Sequence, residues 1–321
     1  MIRKTSAFIA TTLLVASMAA CSSSSTPNSP SSSGPAVDDK VTVGVIAILD
    51  VAPIYLGRDK GIFHKHGIEL TMQQAQGGAA IVPAVVSGQY QFGFSNVVSL
   101  LLAKSQNVPI KAVANGNNST GSTSADFGGL FVKDPNIKSP KDLVGKKVAT
   151  NTLKNIVDTT VKAIVAKDGG DASKVNFVEL AFPNMAPALD AGNVDAIFVV
   201  EPFLSAAKAK GWKQIGSYAD VDPNLCVALY FTSTQLMTQK PDLVKRFTDA
   251  MKESLAYAQT HPDEARAELT TYTTIKADDT KNLILPKWPG DIDKTSIDKL
   301  AGLAVTYGLL TSKPDLTTLL P

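Results

Sequence analysis

From about residue 40 onward, short apolar runs rich in β-branched and aromatic residues alternate with stretches of helical periodicity, and Gly, Pro, Asn or Asp sits at most of the joints. Val41 to Ile48 predicts a buried strand, and Asp50 to Tyr55 the turn that opens a helix ending near Lys60-Gly61. A strand follows from Gly67 to about Gln74, then a helix from Gly77-Gly78 to Val86. Tyr90 to Phe94 reads as a strand, Val97 to Ser105 as a helix and Pro109 to Ala114 as a further strand. A second series begins with a strand at Gly128 to Val132. It continues with a short helix at Ser139 to Leu143, where Ser is the N-cap and Pro takes the first helical position. Strands at Lys147 to Ala149, Val175 to Leu180 and Ala196 to Val200 then alternate with helices at Asn155 to Ala166 and Met185 to Ala191. Val227 to Phe231 carries the chain back, and Pro241 to Thr260, Pro262 to Thr271 and Thr295 to Tyr307 read as closing helices.

This alternation predicts an α/β protein with largely parallel sheets, organised as one lobe interrupted by a second. Residues 40–127 and 231–321 are assigned to lobe I and 128–230 to the inserted lobe II. In open α/β sheets ligands lie beyond the carboxyl ends of the strands. That rule singles out Asp50, Pro53, Tyr55, Gln76, Gly77, Gly78, Ser95, Asn96, Asn115 and Asn117 in lobe I, and Thr150, Asn151, Asn155, Asn184 and Glu201 in lobe II. Two such edges joined by two crossing strands make a cleft with a hinge, able to close on a ligand.

The first residues read differently. Arg3 and Lys4 precede an apolar run from Ala7 to Ala20 that is too short to span a membrane, with small residues at its end. Met18-Ala19-Ala20-Cys21 followed by Ser22 to Ser25 resembles a bacterial lipobox, with Met where that pattern prefers Leu. It predicts a signal peptide over residues 1–20, a lipidated Cys21 anchoring the chain to a membrane, and an extracytoplasmic location. Residues 21–39, dominated by Ser, Pro, Asn and Thr, have no apolar period and predict a flexible linker.

Composition narrows the partners. Hydrophobic residues make up 44% and charged residues 19%, as in a globular protein. The formal charge is +2, and loss of Arg3 and Lys4 with the leader leaves 29 basic against 29 acidic residues. No basic face is implied, which excludes nucleic acid as an expected partner. Of the two cysteines, Cys21 is the lipid site, so the fold does not rest on a disulfide. Cys226, in the apolar run Leu225 to Leu229, reads as a buried inert thiol.

Four segments carry a resemblance to a known family. They are Ala52 to Phe63 with Gly67-Ile68-Glu69-Leu70; Gly77-Gly78 with Gly88 to Gly93; Leu143 to Ala149; and Leu189 to Ala196 with Glu201-Pro202. In this order they are similar to the substrate-binding proteins of bacterial ABC importers for sulfonates, taurine, nitrate and thiamine-pyrimidine precursors, from about Val41 to the C-terminus. The resemblance implies a two-lobed periplasmic-binding-protein fold of type II, with two open mixed sheets flanked by helices. It also implies a monomer that captures a small molecule and hands it to an ABC permease, with no cofactor.

The resemblance leaves the ligand open, because one scaffold serves many ligands. The candidate loops offer amides, hydroxyls, the carboxylates Asp50 and Glu201, and Lys154 as their one cation. Two carboxylates facing the cleft would repel an oxyanion and suit N–H donors, and Tyr55 could stack on a flat ring. The set therefore leans toward a nitrogen-rich heterocycle such as an aminopyrimidine. Sulfonate, taurine, nitrate or an aromatic carboxylate held at helix N-termini is the alternative. A second role stands beside each residue: Asp50 as a helix cap, Glu201 paired with a surface lysine, Tyr55 packed on the lobe surface, and Asn115 to Asn118 as a turn.

An enzyme is not expected. His64 and His66 flank Lys65 on different helix faces, His261 caps a helix start, and no zinc-binding spacing occurs. Gly93-Phe94-Ser95-Asn96-Val97 lacks the second Gly of a nucleophile elbow, which makes Ser95 a ligand contact. The same family resembles eukaryotic enzymes that build the thiamine pyrimidine with a cysteine-rich motif, and this chain has no such cluster. A lipoprotein that keeps the scaffold without import is a third possibility.

Overall fold

The computed structural model describes residues 38–321, so the leader, Cys21 and the linker up to residue 37 lie outside the described residues. Ten strands form two five-stranded mixed sheets. The first contains β1 (Asp39–Val45), β2 (Ile68–Gln74), β3 (Phe92–Asn96), β4 (Ile110–Asn118) and β10 (Cys226–Ser233) in the order β2-β1-β3-β10-β4. The second contains β5 (Gly128–Val132), β6 (Lys147–Thr150), β7 (Asn176–Glu179), β8 (Ala196–Val200) and β9 (Lys213–Ser217) in the order β7-β6-β8-β5-β9. In each sheet three neighbouring strands are parallel. One long-range strand, β10 in the first and β5 in the second, then pairs antiparallel on both of its edges.

Burial explains the run-like sequence signal. Every residue of β8 and β10 is buried, as expected for strands covered on both faces. Helices supply that cover. The amphipathic helix Pro241–Thr260 packs on the helix Ala52–Asp59 and lays Phe247 face to face on Phe92, with ring centroids 3.7 Å apart and planes 5° from parallel. Cys226 is buried, its thiol donating to Asn115 Oδ1 at 3.4 Å, and burial pushes its pKa up. No helix of the described residues is long and apolar enough to cross a membrane.

The elements depart from the sequence pattern in places that matter for the site. The first strand stops at Val45, and a 3-10 turn at Leu49–Val51 brings Asp50 round before the helix starts. β4 runs on through Asn118, so the asparagine-rich stretch is strand and not a turn. Its polar side chains are tolerated there because they find partners: Asn117 donates to Asp50 Oδ1 at 2.9 Å and Asn118 to the Asn224 carbonyl at 3.1 Å. The edge strand β9 escapes sequence detection because Lys213-Gln214-Ile215-Gly216-Ser217 carries little apolar signal. The chain passes between the sheets twice, through residues 119–127 and 218–225.

Candidate functional site

The carboxyl ends of β1, β3, β6 and β8 converge on a small cavity of about 30 Å³. Ile46, Ile48 and Asp50 enter it from the segment after β1, with Phe94 and Asn96 from β3. Asn151, Ile156 and Phe182 face them from loops and helix starts of the second sheet, with Val200 at the end of β8. Tyr218 comes from the second crossing segment, and Val227 and Ala228 from β10. Room for Tyr218 is made by Gly128, where a Cβ would lie 2.4 Å from the tyrosine ring.

Asp50 is the polar centre. It is 3% exposed; Oδ1 accepts from Asn117 Nδ2, while Oδ2 is buried with no partner. Asn117 Oδ1 is likewise buried and unpartnered. Burial pushes the Asp50 carboxyl up to about 7, the Asn117 bond pulls it down, and the charges of Asp126 and Glu201 raise it further. Trp288 donates its indole N–H to the Asp50 carbonyl at 3.2 Å, fixing the backbone that carries the acid. Among the described residues, none lining this cavity is a cation.

Two α-helix starts at the cavity, those after Asn96 and Asn155, are capped by the chain itself, while the one at Phe182 has no side-chain cap. Asn96 Oδ1 accepts from Ser99 N at 2.9 Å and from Ile156 N at 3.3 Å. Asn155 Oδ1 accepts from Val157 N at 2.8 Å and Asp158 N at 3.4 Å, and its Nδ2 donates to Asn151 Oδ1 at 3.0 Å. Asp158, in the same first turn, is pushed up to about 6 by burial and brings negative charge there above that pH. Several first-turn N–H groups of these two helices, of the kind that can receive an anion, are therefore already engaged. Replacing the cap by Asn155→Ala is expected to cost about 1–2 kcal/mol in urea unfolding followed by circular dichroism.

The candidates chosen from sequence separate into groups. Asp50, Asn96 and Asn151 line the cavity. Thr150 and Asn155 build its rim from below: Thr150 Oγ1 donates to the Thr152 carbonyl at 3.0 Å and to Asn155 Oδ1 at 3.3 Å. Gln76 donates to the Asn151 carbonyl at 3.4 Å. Gly77 and Gly78 permit close approach, since added Cβ atoms would lie 2.2 Å from Thr152 Oγ1 and 2.1 Å from Ser95 Oγ. Ser95 is thus buried under the Gly77-Gly78 turn, its hydroxyl donating to the Asn96 carbonyl at 3.4 Å.

Five candidates sit elsewhere. Pro53 is buried within its helix. Tyr55 stacks on Tyr272, with centroids 3.9 Å apart and planes 10° from parallel, so its face is occupied by the protein. Asn115 spends its amide on Asn118 and the Pro289 carbonyl, on the side of the loop at 287–293. Asn184 is exposed on the helix Phe182–Asp190. Glu201 is buried, but its carboxylate is held by Ser205 and Ile284 and does not face the cavity. The apolar walls, Phe94, Phe182 and Tyr218 above all, escape sequence reading because such residues look like ordinary core. A wider hollow of about 590 Å³, lined in part by Asn118 at the end of β4 and by Lys287, Trp288 and Asp291, opens over the loop at 287–293.

A family model described as NMT1/THI5 like matches residues 49–265. A putative binding protein of Brucella abortus is 22% identical over 213 residues, 65% of this chain and 64% of the relative, so the chain spans about two thirds of that relative's length. The taurine-binding periplasmic protein of Escherichia coli strain K12 is 26% identical over 229 residues, 70% of this chain and 68% of that protein. Among solved structures, the periplasmic nitrate-binding protein of Synechocystis PCC 6803 superposes with a TM-score of 0.76 at 14% identity, covering 88% of this chain and 86% of that one. That likeness extends over both sheets and establishes the periplasmic-binding-protein fold.

Proposed function

The chain belongs to the NMT1/THI5-like family, and from that premise we propose that it is an extracytoplasmic solute-binding protein that captures a small molecule between two lobes and delivers it to an ABC permease. In this reading residues 40–127 with 226–321 form one lobe and 128–225 the other, joined by the two crossings. The return is set at Cys226 and not at 231 because β10 pairs with β3 and β4 of the first sheet. The lipid anchor at Cys21 and a monomeric state complete the proposal. The chemistry in this reading is binding, with the cavity offering a ligand a buried acceptor between apolar walls.

The observation that carries the ligand class is the unpartnered Asp50 Oδ2 among aromatic and aliphatic walls. A buried acceptor of this kind rewards a ligand that brings an N–H or a cationic nitrogen. Phe94, Phe182 and Tyr218 suit a flat ring. We therefore favour a nitrogen-rich heterocycle of the aminopyrimidine class over an oxyanion, which a charged Asp50 would repel and for which two of the helix starts at the cavity are already capped, by Asn96 and Asn155. Taurine is the second reading, since its ammonium could meet Asp50 and an Escherichia coli relative carries that ligand in its name.

A thermal-shift panel tests this. Aminopyrimidines and other nitrogen heterocycles would be set against taurine, alkanesulfonates lacking an amine, nitrate and aromatic carboxylates. A ligand at 100 times its Kd adds about 2.7 kcal/mol to stability, a shift that is readily seen. Heterocycles are expected to raise the midpoint, whereas nitrate and amine-free sulfonates leave it unmoved. A shift with taurine alone would select the ammonium reading, and a shift with nitrate would overturn both.

A further inference from the structure

Glu201 has a carboxylate and a position that together suggested a ligand contact, yet its polar groups are all engaged by the chain, locally by Ser205 and over long range by Ile284, Leu49 and Phe127. Oε2 accepts from Ser205 N at 3.0 Å, and Oε1 from Ser205 Oγ at 2.7 Å and from Ile284 N at 3.0 Å. Its carbonyl accepts from Leu49 N and its own N–H donates to the Phe127 carbonyl, both at 3.0 Å. Leu49 lies on the first-sheet side, directly before Asp50. Ile284 belongs to a strap that is itself tied to the first sheet: Lys287 and Asn118 exchange backbone bonds at 2.8 and 3.0 Å, and Trp288 reaches the Asp50 carbonyl.

We propose that Glu201 is the latch of this cleft, a buried carboxylate that bolts the end of β8 to the strap at 283–289 and to the Asp50 turn, and so sets the balance between open and closed forms. The arrangement fits a latch better than a ligand contact. Two of its bonds, from Ile284 N and Leu49 N, cross from the second sheet to the first-sheet side, and the Ser205 bonds hold the carboxylate in place for them. The cavity beneath, about 30 Å³, holds little more than a water or two. A molecule of ordinary ligand size enters only once the Leu49–Glu201 and Ile284–Glu201 contacts part. Opposite Glu201, the two sides also meet at Ile156 N with Asn96 Oδ1 and at Gln76 with the Asn151 carbonyl. Opening therefore exposes two separate sets of amides.

That separation gives the test. Amide hydrogen exchange followed by mass spectrometry would be measured on the ligand-free chain, stripped by unfolding and refolding. In the wild type, peptides holding Leu49, Ile284 and Ile156 should be protected. Glu201→Gln keeps the side-chain size but turns an NH2 toward the Ser205 donors. It is expected to shift the closed-to-open balance about tenfold or more toward open, a loss appropriate to bonds on a charged group. Exchange should then quicken at Ile156 as well as at Ile284, while peptides of β10 stay slow. Quickening at Ile284 alone would mean a local contact and would overturn the latch, as would an unprotected Ile284 in the wild type. Should Glu201→Gln lose protection in β10, and so fail to fold, Ser205→Ala removes one of the bonds with Glu201 in place. Faster exchange at Ile156 in that variant supports the latch, and none refutes it. No ligand enters the measurement, so its failure would leave the ligand assignment standing.

Discussion

Asp50→Asn is expected to weaken ligand binding by about 30-fold or more while making the ligand-free protein more stable at pH 8. The two effects have one cause. Asp50 is buried without a counter-ion, and its Oδ2 has no protein partner. Holding a carboxyl whose ordinary value is 3.8 up at about 7 corresponds to about 4 kcal/mol against the charged form. The sign follows from the raised value. The folded protein binds the Asp50 proton more tightly than the unfolded chain does. This contribution is fully present below about pH 4, falls away as pH rises toward 7, and is absent above it. Asn removes the titration and keeps one acceptor for the Asn117 amide. Its midpoint should therefore exceed that of the wild type by several degrees at pH 8, and the gap should narrow toward pH 5. A ligand that meets the charged carboxylate with a donor loses about 2 kcal/mol or more in the variant, in line with truncating a buried charged partner. Calorimetric binding at pH 8 and melts at both pH values measure the two halves separately. Unchanged affinity would remove Asp50 from the ligand.

The opposite signs for stability and binding are characteristic of a residue kept for function. They also show what the sequence could reveal. Asp50 was legible because it follows an apolar strand and precedes a Pro-containing helix start, the place where an open sheet presents ligands. The alternating strand and helix runs were legible for the same reason as in any α/β protein: buried strands such as Ala196–Val200 must be apolar at every position. What escaped depends on distant partners. Tyr55 reads as a ring free to stack until Tyr272 covers it, and nothing local announces that pairing. Glu201 was read as a carboxylate facing the ligand, but its partner Ile284 lies 83 residues away and gives it a different role. Asn115 and Asn117 look alike in the run Asn115-Gly116-Asn117-Asn118. Yet Asn117 bonds to Asp50 and Asn115 to the Pro289 carbonyl, because their bulged register on β10 gives them different surroundings. Tyr218 was invisible for a further reason: it stands in an irregular crossing, where neither period applies.

The crossings hold the second large effect, expected for Asp126→Ala. Asp126 is fully buried just before β5 and gathers four donors onto one carboxylate. Ser119 Oγ donates at 2.8 Å and Thr120 N at 3.0 Å from the start of the first crossing, and Phe127 N at 3.0 Å from its end. Ala219 N donates at 2.8 Å from the second crossing. One side chain thus ties together both strands of chain that pass between the sheets. Burial raises its pKa while these four bonds lower it, and burial prevails. Alanine would strand the four donors with no water to replace the acceptor, at an expected cost of about 3–5 kcal/mol. For a chain of this size that is a fall of about 10 °C in Tm. Asp126→Asn keeps one acceptor oxygen but turns an NH2 toward two of the donors, and should fall between wild type and alanine. The crossings are also where two lobes would pivot, and Tyr218 stands beside Ala219 with its ring in the cavity. Loosening the Ala219 bond should therefore reach the ligand. Binding in Asp126→Asn is expected to weaken, with the loss appearing in faster dissociation, since the site must then be ordered on closing. Stopped-flow release of the ligand found by the panel measures this. A variant with lowered Tm and unchanged release would make Asp126 a staple of the fold alone, with no part in holding the cleft shut.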